Sequence, residues 1–189
     1  MNAVPYREKF GVLLDELGLC ENGIEIGVAT GNYSEILLSS TKLKKIYFLD
    51  PWREYSKEVY NDTTNCSQLG QDNRYNFVVK RLGKFGDRAV IIRKDSIESL
   101  EDFSDRYFDF IYIDANHAYE YVKKDIINWY PKLKVGGVFA GHDYMNAVTK
   151  TGKYGVKQAV DEFCNDIKIL PLVTGGSKRC PPSWYFIKK

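Results

Sequence analysis

Short apolar runs alternate with helical segments along most of this 189-residue chain, and that alternation is the feature that most restricts its fold. Such a rhythm is typical of a doubly wound, mostly parallel sheet with helices on both faces. Only Gly175–Ser183 separates the last two runs, which is too short for a parallel crossover, so the sheet should end in an antiparallel strand. The sequence therefore predicts one α/β domain over residues 1–189, with seven strands at Gly23–Gly27, Lys45–Leu49, Ala89–Ile92, Phe108–Ile113, Val138–Ala140, Ile167–Val173 and Trp184–Ile187.

The segments between these strands differ in their patterns. Residues 1–20 contain an apolar stripe at helical spacing, which predicts an N-terminal helix that ends near Gly18, and a short helix is expected at Ile97–Leu100. Two polar stretches with several aromatic residues, Pro51–Ser67 and Tyr144–Gly155, fit neither the helical nor the strand period. We expect both to be irregular loops that shape a substrate pocket.

Charge and composition exclude several classes of protein. The 27 basic and 25 acidic residues are spread along the chain and give a net charge of +2, so we expect neither a nucleic-acid partner nor a membrane surface. No apolar run reaches membrane-spanning length, and the first ten residues lack the apolar core of a signal peptide. Four separated cysteines lack the spacing of a zinc site, so reduced thiols and a cytoplasmic location are expected. The first helix could also pack against a second copy in a homo-oligomer.

The turn after the first strand has features of a nucleotide-binding unit. Gly27 and Gly31 would let the backbone approach a ligand closely, which a Cβ atom would prevent. Asp50 ends the second strand about 20 residues further on, and its carboxylate could accept hydrogen bonds from both hydroxyls of a ribose. A dinucleotide fold uses the same carboxylate, so these two features alone do not choose between cofactors. Its glycine pattern would, however, have glycine where this chain has Ala29. The alternative is that the glycines serve only the geometry of the turn.

Titratable side chains follow the fourth and fifth strands, at the point where each strand ends. Asp114 and His117 follow the apolar run Ile111–Ile113, and His142 and Asp143 come directly after the fifth strand. Ligands of open α/β sheets bind at the carboxyl ends of the strands, so these four side chains should converge on one crevice. An unperturbed imidazole has a pKa of about 6.5, which suits a general base. The alternatives are a solvent-exposed helix residue for His117 and a polar pocket residue for His142.

Taken together, the motifs resemble those of class I S-adenosylmethionine-dependent methyltransferases. The resemblance rests on Glu25–Gly31, on Asp50 and Asp95, and on the antiparallel end of the sheet, and it covers nearly the whole chain. It implies a small-molecule substrate, S-adenosylmethionine as methyl donor and S-adenosylhomocysteine as product. Within that superfamily, the chain resembles metal-dependent small-molecule O-methyltransferases of the macrolide-sugar type at Ile113–Glu120, Leu133–Gly137 and Gly141–Tyr144.

The resemblance also implies roles for single residues in cofactor binding. Glu25 would lie near the methionine part of the cofactor, and Asp50 would lie at the ribose. Asp95 and Ser96 would lie near the adenine, although both could instead cap the helix that follows. The cofactor-binding residues expected from the resemblance are Glu25, Gly27, Gly31, Asp50, Asp95, Ser96 and Asp114.

For the chemistry, the resemblance implies a divalent metal bound by Asp114, His142 and Asp143, with His117 as the base. Asp114 and His117 are then the expected catalytic residues. The resembled enzymes have a carboxylate at the position of His142, and an imidazole there favours Mn²⁺, Fe²⁺, Co²⁺ or Zn²⁺ over Mg²⁺, or leaves no metal. Three alternatives remain: a metal-independent N- or C-methyltransferase, a nicotinamide-dependent oxidoreductase, and a nucleotide-binding module without turnover.

Overall fold

The structure, a computed structural model, describes residues 3–62, 64–150, 152–176 and 181–189. Its strands are β1 (Asn22–Ile26), β2 (Lys45–Leu49), β3 (Ala89–Ile92), β4 (Phe108–Ile113), β5 (Leu133–Gly141), β6 (Asn146–Thr149), β7 (Gly152–Gly155), β8 (Leu172–Val173) and β9 (Trp184–Ile187). Within the described residues, seven of them form one sheet in the order β3-β2-β1-β4-β5-β9-β8.

The direction of the strands confirms the predicted fold class. Neighbours among the first five strands of the chain are parallel, and β9 runs antiparallel to both β5 and β8. The sheet is therefore mostly parallel, with an antiparallel last strand. Its strand order reverses at β1, because β2 and β4 lie on opposite sides of that strand.

Helices cover both faces of the sheet, as predicted. They are α1 (Phe10–Glu16), α2 (Asn32–Ser40), α3 (Gln68–Leu82), α4 (Tyr119–Trp129) and α5 (Val156–Asp166). The first three pack on one face and the last two on the other, and each face has its own apolar core. Alternate residues of a strand point to opposite faces, so in β4 Phe110 and Tyr112 join the first core while Ile111 and Ile113 join the second.

The short helices differ in detail from their predictions. The N-terminal helix expected within residues 1–20 is a 3₁₀ turn at Arg7–Lys9 followed by α1, which ends two residues before Gly18. The helix expected at Ile97–Leu100 is a 3₁₀ turn at Glu98–Asp102. None of the helices in the described ranges is both long and apolar enough to cross a membrane.

The segment Tyr144–Gly155, predicted as an irregular loop, contains a β-hairpin, so that prediction is wrong. β6 pairs antiparallel with β7, apart from the main sheet. Most of the hairpin's side chains are exposed or only partly buried, so the sequence has no apolar alternation that would reveal it. The other stretch, Pro51–Ser67, has neither helix nor strand in its described residues, as expected.

The strand predicted at Ile167–Val173 is reduced to its last two residues, which form β8. Ile167 is the C-terminal cap of α5, and Lys168 adopts a left-handed φ of 56°, which interrupts an extended backbone. Ile167 and Ile169 pack against the core from the end of the helix rather than from a strand. Cys20, Cys66 and Cys164 are free thiols, and Cys180 lies outside the described residues.

The close approach of β1 and β4 can be tested at Gly27. Gly27 has a φ of +89°, and a Cβ atom there would lie 2.1 Å from the carbonyl oxygen of Asp114. Gly18 is a matched control, because its φ is +69° and a Cβ atom there meets nothing within 4 Å. We expect Gly18→Ala to lower the free energy of unfolding by about 1–2 kcal/mol, the cost of a left-handed backbone. Gly27→Ala should cost about 1–3 kcal/mol more, because it adds overpacking.

Urea unfolding of the two variants and the wild type measures both losses. Equal losses in the two variants would mean that β4 moves away from a methyl group at Gly27 without cost, and that the contact does not constrain the fold.

Candidate active site at the carboxyl edge of the sheet

The loops that leave the carboxyl ends of β1 to β4 enclose a cavity of about 430 Å³. It opens beside the strand at which the sheet order reverses, where open α/β sheets bind their ligands. Its volume is within the usual range for small-molecule sites. The predicted site residues that line it are Glu25, Gly27, Asp50, Asp95, Ser96, Asp114 and His117.

Gly31 was expected to bind the cofactor, but it does not line this cavity. It is the N-terminal cap of α2 and has a left-handed φ of 73°. A Cβ atom there would lie 3.3 Å from the side chain of Val78 in α3. Gly31 therefore serves the turn and the packing of α2 against α3, which is the alternative that the sequence left open.

Asp50 holds the glycine turn in place through the backbone. Its Oδ2 accepts hydrogen bonds from the amides of Val28 (3.0 Å) and Ala29 (2.9 Å), and its Oδ1 accepts one from the amide of Trp52 (2.7 Å). Burial raises the pKa of Asp50, and these three amides oppose that shift. A carboxylate has about four acceptor positions, so Asp50 has room for about one further hydrogen bond. The expected grip on both ribose hydroxyls would need one acceptor position more than these three amides leave.

Ala29 shows how this turn works without a third glycine. Its φ is +50°, a left-handed conformation that non-glycine residues rarely adopt. The amide of Ala29 donates to Asp50, and its carbonyl accepts a hydrogen bond of 2.9 Å from the indole of buried Trp52. Two hydrogen bonds therefore hold the residue in the conformation that glycine would adopt freely.

Glu25 is a buried carboxyl group on the cavity wall. Burial raises its pKa well above the ordinary value, and a hydrogen bond from the hydroxyl of Ser34 opposes the shift. Because burial disfavours the ionised carboxylate, a cation bound beside Glu25 would stabilise it. This position suits a positively charged group of a ligand.

The far end of the cavity lies between the loop after β3 and helix α4. Asp95 Oδ1 accepts a hydrogen bond of 3.0 Å from the amide of Ile97, which precedes the 3₁₀ turn, and Asp95 also lines the cavity. The hydroxyl of Ser96 donates to Asp125 of α4, which is buried and lines the same cavity. Burial raises the pKa of Asp125 to about 6, and the Ser96 hydrogen bond opposes this.

The four titratable residues after β4 and β5 do converge, as predicted. His117 Nε2 lies 2.9 Å from Asp143 Oδ2 and 3.5 Å from Asp114 Oδ1. His142 Nδ1 lies 3.0 Å from Asp143 Oδ1 and 4.0 Å from Asp114 Oδ2. Asp143 has a left-handed φ of 52°, and its bonds to the two histidines outweigh its burial and hold its pKa well below the usual range.

His117 does not have the ordinary pKa that its predicted role assumes. Burial disfavours its charged form, but hydrogen bonds with Asp114, Asp143 and Asp62 outweigh burial and raise its pKa to about 12. The value of about 6.5 applies to an unperturbed imidazole, and these carboxylates shift the pKa of His117 away from it. Near neutral pH the imidazole is protonated and cannot accept a proton, so a role as base requires that the neighbouring carboxylates first be neutralised.

Two further residues fix the orientation of the His117 ring. Asp62, from the segment Pro51–Ser67, places Oδ2 3.8 Å from His117 Nδ1, and its Oδ1 accepts hydrogen bonds of 2.8 Å from the amide and the hydroxyl of Thr64. Tyr154 of β7 stacks on the imidazole, with ring centroids 4.8 Å apart and an interplanar angle of 18°. The ring therefore keeps Nε2 directed at Asp114 and Asp143.

The donor set fits a divalent cation. Asp114, His117 and Asp143 each place one possible ligand atom within 4.8 Å of the others. Two carboxylates and one imidazole suit Mn²⁺, Fe²⁺, Co²⁺ or Zn²⁺. The nitrogen in this set belongs to His117, whereas the prediction from sequence assigned that position to His142.

A smaller cavity of about 240 Å³ adjoins the first. Most of its wall comes from the segments Pro51–Ser67 and Tyr144–Gly155, and includes Asp62 and Tyr154. The residues that line both cavities are Val59, Tyr60, Asn116 and His117.

Four residues of the site were not predicted from the sequence: Arg7, Asp62, Asp125 and Tyr154. Asp125 had a detectable signal, because it is a carboxylate on the apolar stripe of α4. The other three come from the N-terminal segment, a loop and a hairpin, and no local pattern associates them with His117 or Asp114.

Comparison with protein families gives a match to a family described as a methyltransferase domain, over residues 24–144. The match covers more than half of the chain. A curated protein of Sinorhizobium fredii, the uncharacterised protein y4gI, is 40% identical over 53 residues, which are 28% of this chain and 6% of that protein. The chain thus corresponds to only a small part of that relative's length.

Solved structures share the fold at low sequence identity. An O-methyltransferase from Bacillus cereus, solved in complex with SAH, has a TM-score of 0.67 and 19% identity, and the similarity covers 100% of this chain and 83% of that chain. An rRNA methylase from Streptococcus thermophilus has a TM-score of 0.58 and 16% identity, and covers 100% of this chain and 98% of that chain. At such identities the likeness concerns the fold alone.

Asp125 provides a pH-dependent test of the buried charge in this site. Its pKa rises on folding from an ordinary 3.8 to about 6, so the proton is bound more tightly in the folded state. The resulting stabilisation is complete below pH 3.8 and is lost as the pH rises through about 6. We expect Asp125→Asn to raise the free energy of unfolding at pH 8 by about 1–3 kcal/mol, with a gain near zero at pH 4.

Urea unfolding at the two pH values measures the gain. Glu120→Gln, an exposed carboxyl on the same helix, is the control and should give no comparable change. An Asp125→Asn gain that is equal at both pH values would contradict the role of ionisation.

Proposed function

Because this chain belongs to the family of methyltransferase domains and has the class I S-adenosylmethionine-dependent fold, we propose that it methylates a hydroxyl group of a small molecule. One observation carries the proposal. His117 lies where a cavity with the features of an adenosine cofactor site meets a smaller cavity that could admit an acceptor, with Asp114 lining the larger cavity and Asp62 lining the smaller one.

The larger cavity supports S-adenosylmethionine as the cofactor. Glu25 offers a buried carboxylate to the positive charge of the methionine part, and Asp50 keeps one acceptor position for a ribose hydroxyl. Asp95 and Ser96 lie at the other end, beside Asp125, where the adenine would be bound. The SAH in the structure of the Bacillus cereus O-methyltransferase supports the same choice of cofactor.

The smaller cavity supports a small acceptor. About 240 Å³ bounded by Tyr60 and Tyr154 suits a small sugar or aromatic alcohol rather than a macromolecule. The near balance of 27 basic and 25 acidic residues gives no reason to propose a nucleic-acid acceptor. A protein named as an rRNA methylase shares the same fold, so the choice of a small acceptor rests on the cavity and the charge and not on the fold.

Methyl transfer is a direct displacement, so catalysis comes mainly from alignment of the acceptor oxygen and exclusion of water. Asp62 and Tyr154 hold the His117 ring, and the hairpin that carries Tyr154 covers this side of the site. Asp114, His117 and Asp143 would hold a divalent cation. The chemistry that such a cation would supply is a lower pKa for a neighbouring acceptor hydroxyl.

His117 Nε2 is the atom with two possible roles. Its position between Asp114 and Asp143 favours a role as a metal ligand, whereas the resemblance assigns it the role of general base. We assign it as a ligand, because its nitrogen and not that of His142 joins the convergent set. A measurement of cation affinity separates the roles, since a base can be removed without loss of the ion.

The cofactor assignment predicts that SAH binds and NAD does not. Asp50→Ala should weaken SAH binding by about ten- to hundredfold, because it removes a charge-assisted contact to the ribose and releases the turn. His117→Ala should leave SAH affinity nearly unchanged while it abolishes most turnover. Isothermal titration of the three proteins with each ligand measures this, with thermal unfolding of ligand-free Asp50→Ala as the control for loss of fold. Binding of NAD in place of SAH would favour the oxidoreductase, and binding of neither would favour a module without turnover.

The metal assignment predicts binding of Mn²⁺ that depends on the convergent set. Asp143→Asn and His117→Ala should each weaken Mn²⁺ by more than tenfold, since even partners outside the ligand set cost about 10–100-fold. EDTA should abolish methylation of a test acceptor, and Mn²⁺ should restore it. If His117→Ala keeps its Mn²⁺ affinity but loses turnover, His117 is the base. Activity indifferent to EDTA would support a metal-independent methyltransferase.

A further inference from the structure

The N-terminal segment is fixed beside the larger cavity by hydrogen bonds, and its Arg7 lines that cavity. The amide of Val4 donates to the hydroxyl of Tyr185 in β9 (3.0 Å), and the carbonyl of Pro5 accepts from the amide of Gly175 (2.7 Å). The carbonyl of Arg7 accepts a hydrogen bond of 3.0 Å from the hydroxyl of Tyr33 in α2. Residues far from the glycine turn in sequence are therefore part of the cavity wall.

The side chain of Arg7 reaches into this cavity. Its Nη1 lies 3.3 Å from Asp114 Oδ2, and its guanidinium carbon lies 4.7 Å from the centre of the Tyr33 ring. Only 23% of the side chain is exposed. Ion pairs with Asp114 and with Glu8 (Arg7 Nε to Glu8 Oε1, 3.9 Å), together with the aromatic face of Tyr33, hold the guanidinium in a defined orientation.

Three arginines line the cavity in the described residues: Arg7, Arg53 and Arg74. Arg7 stacks on Tyr33, and the hydroxyl of the next residue, Ser34, donates to Glu25, so Arg7 and Glu25 belong to the same part of the cavity wall. Arg7 is also one of the groups that oppose the burial-driven rise in the pKa of Glu25. The guanidinium of Arg74 donates to the carbonyl of Thr64.

An α-amino acid carries its ammonium and its carboxylate on the same carbon atom, so a site that recognises it needs both signs of charge side by side. Glu25 alone would attract the ammonium and repel the carboxylate. At the Glu25 end of the cavity, Arg7 is the cation that can offset this repulsion. Arginine is also well suited to a carboxylate, because its planar fork of donors matches the two oxygens.

We propose that Arg7 binds the carboxylate of the methionine part of the cofactor, next to Glu25 at the ammonium. This inference rests on the proposed function, because it takes the occupant of the cavity to be S-adenosylmethionine. Arg7 would then be a specificity residue that the N-terminal segment supplies to the site, while its contact with Asp114 keeps the guanidinium in place.

The test compares two ligands that differ only in the carboxylate: SAH and S-adenosyl-3-thiopropylamine, its decarboxylated form. The wild type should bind SAH about ten- to hundredfold more tightly, the value of a charge-assisted hydrogen-bonded pair. Arg7→Met keeps an apolar stem over Tyr33 and should lose this preference, by weakening SAH while leaving the decarboxylated ligand nearly unchanged. Arg53→Ala, a second arginine of the same cavity, should change both affinities by the same factor. Isothermal titration gives the four comparisons.

Equal weakening of both ligands in Arg7→Met would overturn the inference, because that result means Arg7 acts only through Asp114 and the fold. If Arg7→Met does not fold, the wild type alone decides: equal affinity for the two ligands would also overturn it. Wild-type protein that binds neither ligand would overturn the cofactor assignment itself, which is a different result from loss of discrimination.

Discussion

The close contact between the ends of β1 and β4 is the constraint on which the site depends. The amide of Asp114 donates to the carbonyl of Ile26 (2.8 Å), and no Cβ atom fits at Gly27 because the Asp114 carbonyl occupies that space. The two chains leave the sheet edge at this point, one toward the glycine turn and the other toward His117. A cofactor held by the turn and a reacting group held near His117 are therefore brought together by backbone packing, before any side chain contributes. Asp50 adds the second fixed point, because its carboxylate ties the same turn to the end of β2.

Charge is the second constraint. The His117 imidazole is surrounded by three carboxylates, those of Asp62, Asp114 and Asp143. Their negative charges stabilise the protonated ring and raise its pKa to about 12. A histidine in such a cluster is already protonated near neutral pH and is therefore a poor base. Two or three carboxylates and an imidazole are also ligands that suit a divalent cation, whose charge would replace that of the proton. Arg7 also forms an ion pair with Asp114 (3.3 Å). The same carboxylate thus links the N-terminal segment, the cofactor cavity and the histidine cluster.

The parts of this arrangement that could be predicted are those with a local signal. The apolar runs predicted the strands of the main sheet. Because parallel strands all end at one edge of a sheet, the positions of Asp114, His117, His142 and Asp143 after two of these strands predicted their convergence. The spacing of Asp50 from the glycine turn predicted that Asp50 lies at the cavity. It did not predict that three backbone amides donate to its carboxylate. The hairpin at Tyr144–Gly155 was missed because exposed strands carry no apolar alternation. Arg7, Asp62 and Tyr154 were missed because they meet His117 and Asp114 only through long-range packing, and the raised pKa of His117 follows from that packing.

The boundary of the family match divides the site in an informative way. Residues 24–144 include Glu25, Asp50, Asp114, His117 and Asp143, so the groups that we propose to hold the cofactor and the cation lie inside the matched region. Tyr154 and the hairpin lie beyond it, and Arg7 lies before it. The hairpin contributes Gly152, Lys153 and Tyr154 to the smaller cavity, so part of the wall of the proposed acceptor site lies outside the matched region, while the loop that carries Asp62 lies inside it. Surface loops and hairpins can vary on one scaffold without changing its fold, so the acceptor should be sought through the shape and charge of this wall.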